Sequence, residues 1–520
     1  MGIKLIFLIC FFAIMIVVGV IASKHATNVG DFVLGGRKVG PWLTAFAYGT
    51  SYFSAVVFVG YAGQFGWRYG ISATWIGIGN ALIGSLLPWI VLGGRTRTMT
   101  KHLNSATMPD FFGRRFDSKA IKIAAAVISF IFLVPYTASV YNGLSRLFEM
   151  AFNIPYWVCV LGMASLTGLY VILGGYMATA INDLIQGIVM LVGIVAVIGA
   201  VLSQQGGFFS AVGKLAELKS DVPVTLGQSG AFTSFFGPDP INLLGVVILT
   251  SLGTWGLPQM VHKFYAIKDE KSIKTGTIIS TIFAIIIAGG CYFLGSFGRL
   301  FDNPGLYNEQ GKVIYDAIMP YILSSLSDVL IGIVVVLVLS ASMSTLSALV
   351  LTSSSTITLD LIKDNLYKDM NQKKQLRIMR IFIVFFIVVS VVLALYPPDF
   401  IAQLMGISWG ALAGAFLAPF MYGLYWKGTT KGAVWASFIS GVGITTSNLV
   451  FGYIDSPINA GAIAMVAGLV IVPLVSILTP KMKKDKLEAI FKCYKSDNNL
   501  SKNELSEDKL KEEKQTKVMA

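Results

Sequence analysis

Between residues 4 and 479 the chain repeats an apolar run of about twenty residues thirteen times. A helix needs roughly 20 consecutive apolar residues to cross the hydrocarbon core of a bilayer. In lipid every backbone N–H and C=O must be paired within the protein, so runs of this length become helices. The runs, called spans 1 to 13, fall at 4–22, 41–63, 72–93, 121–150, 156–175, 182–204, 240–262, 275–299, 327–353, 379–396, 399–425, 431–452 and 459–479. Charged residues make up 13% of the chain, against about a quarter in soluble proteins. The expected fold class is an all-α integral membrane protein of about thirteen transmembrane helices.

The formal net charge of +13 is a topology signal, not a nucleic-acid surface. Lys24, Arg37, Lys38, Arg95, Arg97, Lys101, Arg114, Arg115 and Lys119 follow spans 1 and 3, and further clusters follow spans 7, 9 and 11. The alternate loops hold little beyond Arg68, Lys214, Lys219 and Lys312. By the positive-inside rule the N-terminus is outside and the C-terminus cytoplasmic, in a multi-pass plasma-membrane protein whose constant partner is the lipid bilayer. Span 1, with Lys4 as its only early cation, is expected to be retained as a helix and not cleaved as a signal peptide. Four dispersed cysteines give no disulfide framework or metal spacing, and His25, His102 and His262 all sit at cytoplasmic ends of spans. The tail from Lys481 to Ala520 alternates Lys with Glu and Asp and is expected to be solvated and disordered.

Span 2 places Gly49, Thr50, Ser51 and Ser54 in mid-membrane, and span 7 places Thr250, Ser251, Gly253, Thr254, Gly256 and Pro258 around its centre and inner half. Gly and Pro weaken the helical ladder, and paired discontinuous helices point to a transporter's binding site. The two lie five spans apart, so they run in opposite directions through the membrane. That predicts an inverted repeat with five helices per copy. The divisions are an extra helix and loop (1–40), the first repeat (41–204), an outer loop (205–239), the second repeat (240–425), two peripheral helices (426–480) and the tail (481–520). Neither broken span contains a lysine or arginine on this reading.

Span 9 ends in a hydroxyl-rich stretch, Ser340 to Ser355. Positions i, i+3 and i+4 share a helix face, so Ala341, Ser344 and Thr345 offer one carbonyl and two hydroxyl oxygens together. Unwinding of span 2 near Gly49 adds the carbonyls of Thr50 and Phe53. Five neutral oxygens suit a small monovalent cation such as sodium. Ser347 and Thr352 to Ser355 read as back-bonding and packing groups.

The stretches "FVLGGRKVGPWLTAFAYGTSYFSAVVFVG", "ILGGYMATAINDLIQG", "GLPQMVHKF" and "SMSTLSALVLTSSSTITLDL" together resemble the sodium:solute symporter family, nearest in pattern to its sodium/proline symporters. The resemblance runs from about Phe32 to Lys431. It implies a LeuT-like five-plus-five core, with sodium as the coupling ion between spans 2 and 9 on Thr50, Phe53, Ala341, Ser344 and Thr345. It also implies solute contacts at Ser54, Gly60, Thr250, Thr254 and Pro258, and a matched position at Arg37. Asp183 is implied as a way-station for sodium leaving toward the cytoplasm; an interfacial carboxylate at a helix start is the plainer alternative. Two departures bear on the solute. The chain has Tyr52 where proline transporters carry an aspartate, and Thr250 and Thr254 where they carry Trp and Tyr. The expected activity is sodium-coupled import of a small organic solute, an amino acid such as proline or a carboxylate, by alternating access, with one chain sufficient. A proton-coupled transporter on the same scaffold and a solute-sensing receptor are the alternatives. No span carries a cluster fit for acid–base or nucleophilic chemistry, so an enzyme is not expected.

Overall fold

In a computed structural model the structure describes residues 2–22, 24, 28–364, 366–367, 369–396 and 401–494. His25, the first two residues expected in span 11 and the end of the tail from 495 lie outside that range. Among the described residues nine helices are long and apolar enough to cross a membrane, and the bent pair Pro240–Gly256 and Pro258–Ala266 makes a tenth; dividing the helical stretches 56–102 and Tyr156–Gln204 in two and adding Gly2–Ala22 gives the thirteen segments expected. Span 1 is Gly2–Ala22, span 4 Lys119–Phe152, span 8 Glu270–Gly295 and span 10 Gln372–Leu395. Spans 11, 12 and 13 are Ile401–Tyr425, Lys431–Phe451 and Pro457–Leu478, and they pack on one another. Span 3 extends over 74–102, and span 9 runs from Asp328–Thr356 into a π-helical end, Ile357–Lys363.

Spans 5 and 6 follow one another over Tyr156–Gln204 with only Gly175 outside helical geometry, and they are two crossings. Tyr170 donates its hydroxyl to the Met343 carbonyl at 2.8 Å, while Gly193 lies against Leu337. In one straight helix residues 170 and 193 would be about 34 Å apart, but their partners on span 9 are under two turns apart. The chain therefore doubles back, and it does so at Gly175, where φ is 54° and ψ is −145°. Only glycine adopts that conformation readily, and Phe32 fills the space where a Cβ would stand.

Contacts between spans show the inversion. Tyr48 meets Phe264 with ring centroids 5.5 Å apart, and Tyr52 meets Thr250. Residue numbers rise along span 2 as they fall along span 7, so the two are antiparallel. Spans 3 and 8 behave alike: Gly77 faces Gly289, Ser85 bonds Ser280 at 2.8 Å, and Gly276 receives Trp89. Near the end opposite the basic face, Gly66 approaches Gly295 so closely that an added Cβ would sit 2.1 Å from its carbonyl. Backbones approach this closely only where side chains are missing, as is common between membrane helices.

Two expectations need correction. Span 7 does not stop at 262: its second half, Pro258–Ala266, holds Lys263 fully buried. One broken span thus does contain a lysine, and sequence counting had given it to a loop because it directly follows the apolar run. The tail is not disordered from its start either. Lys484–Phe491 is a helix that buries Ile490 and Phe491. Arg115 lies 4.9 Å over the Phe491 ring, Lys486 pairs with Asp117 at 2.6 Å, and His102 reaches the Ala489 carbonyl at 2.8 Å. The Lys486 hydrogen bond holds the Asp117 carboxyl below its ordinary range.

Candidate functional site

Span 2 breaks without a proline. The helix Pro41–Tyr52 ends at Phe53, whose φ of −107° and ψ of 92° turn the chain out of the ladder. Phe53 donates back to the Gly49 carbonyl at 3.2 Å, and both Val57 and Phe58 donate to Ser54. The Ser54 hydroxyl takes the Val56 N–H at 3.2 Å and caps the continuation, which runs through a π-helical turn, Val56–Tyr61, containing Gly60. The break leaves the carbonyls of Thr50 and Ser51 facing span 9. Ser344 Oγ donates to Thr50 O at 3.1 Å and lies 3.1 Å from Ala341 O. Thr345 Oγ1 is 3.3 Å from both Thr50 O and Ser51 O and 3.1 Å from Ala341 O. All of these residues are buried.

Thr50, Ala341, Ser344 and Thr345 are thereby brought together as the spacing predicted. The hydroxyl contacts reach Ser51 and not the Phe53 carbonyl. Ser51 escaped the sequence reading because the register of an unwound turn is not encoded by helical spacing. Neighbouring oxygens around a cation with bonds of about 2.4 Å stand roughly 3.4 Å apart, close to the separations here. Ser347 bonds Ser344 O and Ser354 and Ser355 bond Leu351 O, the back-bonding expected of them.

Span 7 breaks by another route. Pro258 has no N–H, which frees the Thr254 carbonyl, and it pushes Leu257 into extended conformation, φ −78° and ψ 121°. The two halves meet at 45°. Its hydroxyls are occupied: Thr250 bonds Val246 O at 2.8 Å, and Thr254 bonds Gly84 O at 2.9 Å. Trp255 Nε1 bonds Ile83 O at 2.8 Å, so this ring braces span 3. Gly84 lies in a π-helical turn, Leu82–Leu86, whose loosened ladder exposes carbonyls; Tyr48 also donates there at 2.8 Å.

Tyr52, at the site of the missing aspartate, reaches across from one break to the other and bonds Thr250 O at 2.6 Å. Its ring stacks near Trp409, centroids 6.1 Å apart, and Tyr136 meets Trp409 at 5.8 Å. Tyr136 and Trp409 are both buried and lie beside Ser54 and the break in span 2. Both lie on spans without a break, which is why the search for broken helices passed over them.

Asp183 is not interfacial. It lies two turns inside span 6, 1% exposed, with Lys263 Nζ 3.7 Å away. Arg37 fastens the basic face, donating to Thr100 Oγ1 and Tyr265 O at 3.2 Å and to Ser105 O at 2.5 Å. Burial lowers the pKa of its guanidinium below the ordinary arginine value.

Membrane-length helices in an inverted arrangement, with two broken members meeting at their breaks, are the architecture of a membrane transporter. The profile of the sodium:solute symporter family matches residues 32–441, and the chain belongs to that family. It is accordingly a sodium-coupled solute symporter and not an enzyme. Over 490 residues it is 27% identical to the osmoregulated proline transporter OpuE of Bacillus subtilis, covering 93% of this chain and 96% of the relative. Over 435 residues it is 30% identical to the sodium/proline symporter of Escherichia coli, covering 82% and 84%. Among solved structures, a Na+-coupled sialic acid symporter in a substrate-bound outward-open state superposes with a TM-score of 0.72 at 17% identity, over 93% of this chain and 99% of that one. That likeness establishes the fold.

Proposed function

We propose that sodium binds between spans 2 and 9, on the carbonyls of Thr50 and Ala341 and the hydroxyls of Ser344 and Thr345. Phe53, or Ser51 in its place, supplies the fifth oxygen. The observation that carries this is the convergence of those two hydroxyls on carbonyls from both helices at 3.1–3.3 Å. Sodium's inward movement contributes about 2.3 kcal/mol per 100 mV, enough for roughly fortyfold solute accumulation at 1.4 kcal/mol per decade.

The solute is a small amino acid or carboxylate held beside the two breaks, near Ser54, Gly60, Thr250, Thr254 and Pro258. Two relatives are named for proline. The chain sits in the plasma membrane with its N-terminus outside and its basic face cytoplasmic, and a single chain carries out transport. Its segments divide as the repeats do: 41–204 and 240–425 form the core, and 1–40, 205–239 and 426–480 surround it. In proteoliposomes, a panel of labelled amino acids and carboxylates is expected to contain a solute whose uptake requires an inward sodium gradient. Undiminished uptake of that solute with choline in place of sodium would overturn the sodium site.

A further inference from the structure

Asp183 and Lys263 are 1% and 3% exposed, and at 3.7 Å they form an ion pair too long for a hydrogen bond. Neither carboxylate oxygen has a hydrogen-bond partner among the described residues. The same holds for both amide atoms of Asn182 and Gln259 and for Oε1 of Gln186. Gln259 lies one turn before Lys263, and Gln186 about one turn after Asp183, so each shares its neighbour's face. A buried pair without supporting hydrogen bonds adds little to stability, and an ionisable group inside a membrane protein marks function by default.

The position gives that function content. Gly187, one turn beyond Asp183, receives the Thr50 methyl and the Phe46 ring where a Cβ would stand. Asp183 is thus one helical turn, about 6 Å along span 6, from Gly187, which touches the residue whose carbonyl faces Ser344. Lys263 stands on the second half of span 7, whose Phe264 packs on Tyr48 of span 2.

We infer that Lys263 is a resident counter-cation for Asp183, which sodium displaces as it passes from the Thr50 and Ser344 oxygens toward the basic face. The inference rests on the proposed sodium site. An unopposed buried carboxylate beside the route would hold a cation on the order of a thousandfold too long. With Lys263 in place, sodium exchanges for an ammonium and the net charge around Asp183 does not change. Because Lys263 rides on a half-helix, movement of that half-helix withdraws the ammonium while sodium is at the carboxylate and returns it to expel the ion. Lys263 is therefore a positioning residue.

The test uses purified protein and 22Na+ alone, so no solute need be known. Lys263→Met is expected to hold one additional 22Na+ per chain and to release it at least tenfold more slowly in a choline chase. Asp183→Asn leaves the ammonium unopposed and should weaken sodium binding at least fivefold. The neutral pair Asp183→Asn/Lys263→Met should recover the wild-type affinity and release rate. Removing both partners of a buried pair is usually tolerated, so this double variant keeps the test alive if a single variant does not fold. A purely structural pair would change melting temperature and leave 22Na+ stoichiometry and release untouched; that result overturns the inference. So does a double variant that keeps the weakened affinity of Asp183→Asn. 22Na+ binding that is the same in wild type and in Ser344→Ala/Thr345→Ala would instead refute the proposed sodium site.

Discussion

The two broken helices occupy equivalent places in the repeats but solve the same physical problem in opposite ways. Span 7 uses Pro258, a covalent break that works whatever surrounds it, and its hydroxyls and indole are then spent on bracing span 3. Span 2 has no proline at its break and opens where hydroxyls from span 9 stand in for the lost backbone donors. One opening is built into the chain; the other exists only while its partner helix supports it. A break held open by replaceable hydroxyls is the better place for an exchangeable ion, because sodium and the hydroxyl protons seek the same oxygens.

The sharpest way to break that contrast is to remove the supporting hydroxyls. Ser344→Ala/Thr345→Ala deletes two of the proposed ligand oxygens, worth about 1–2 kcal/mol each, and should raise the sodium concentration for half-maximal uptake roughly thirtyfold to several hundredfold. Thr254→Val, the counterpart at the other break, should leave it within about threefold. Equal effects at both sites would erase the distinction.

Next in size is Gly84, where a Cβ would stand 2.1 Å from the Tyr52 hydroxyl. Gly84→Ala should cost about 1–3 kcal/mol through overpacking, read as a lowered melting temperature with Tyr52 displaced. Smallest is Tyr52→Phe, which removes the one hydrogen bond from Tyr52 to the Thr250 carbonyl. It should cost about 1 kcal/mol and alter solute affinity more than sodium affinity; the reverse order would place Tyr52 with the ion and not with the solute.

Much of this was legible in the residues, for identifiable reasons. Membrane spans announce themselves because lipid forbids unpaired backbone, and the pairing of Ala341 with Ser344 and Thr345 follows from helical geometry alone. What stayed hidden depended on tertiary placement. Lys263 looked like a loop cation because hydropathy cannot see a carboxylate on another span. Asp183 looked interfacial because the fold-back at Gly175 starts span 6 at Tyr176, six residues earlier than the apolar run suggested. Phe491 looked like part of a solvated tail because the surface that receives it, Arg115 beside Asp117, lies more than 370 residues away in sequence.

The meeting of Gly66 with Gly295 has a mechanical corollary. Where main chain rests on main chain, no compliant layer of side chains remains to absorb sliding, so Ala62–Tyr69, the helix that continues span 2 beyond Tyr61, and the end of span 8 travel as one piece. Any swing that uncovers the ion must then find its pivot elsewhere along span 2, and the extended residues after Tyr52 are the natural hinge. The ion's cradle and the joint that opens it would be the same few peptide units.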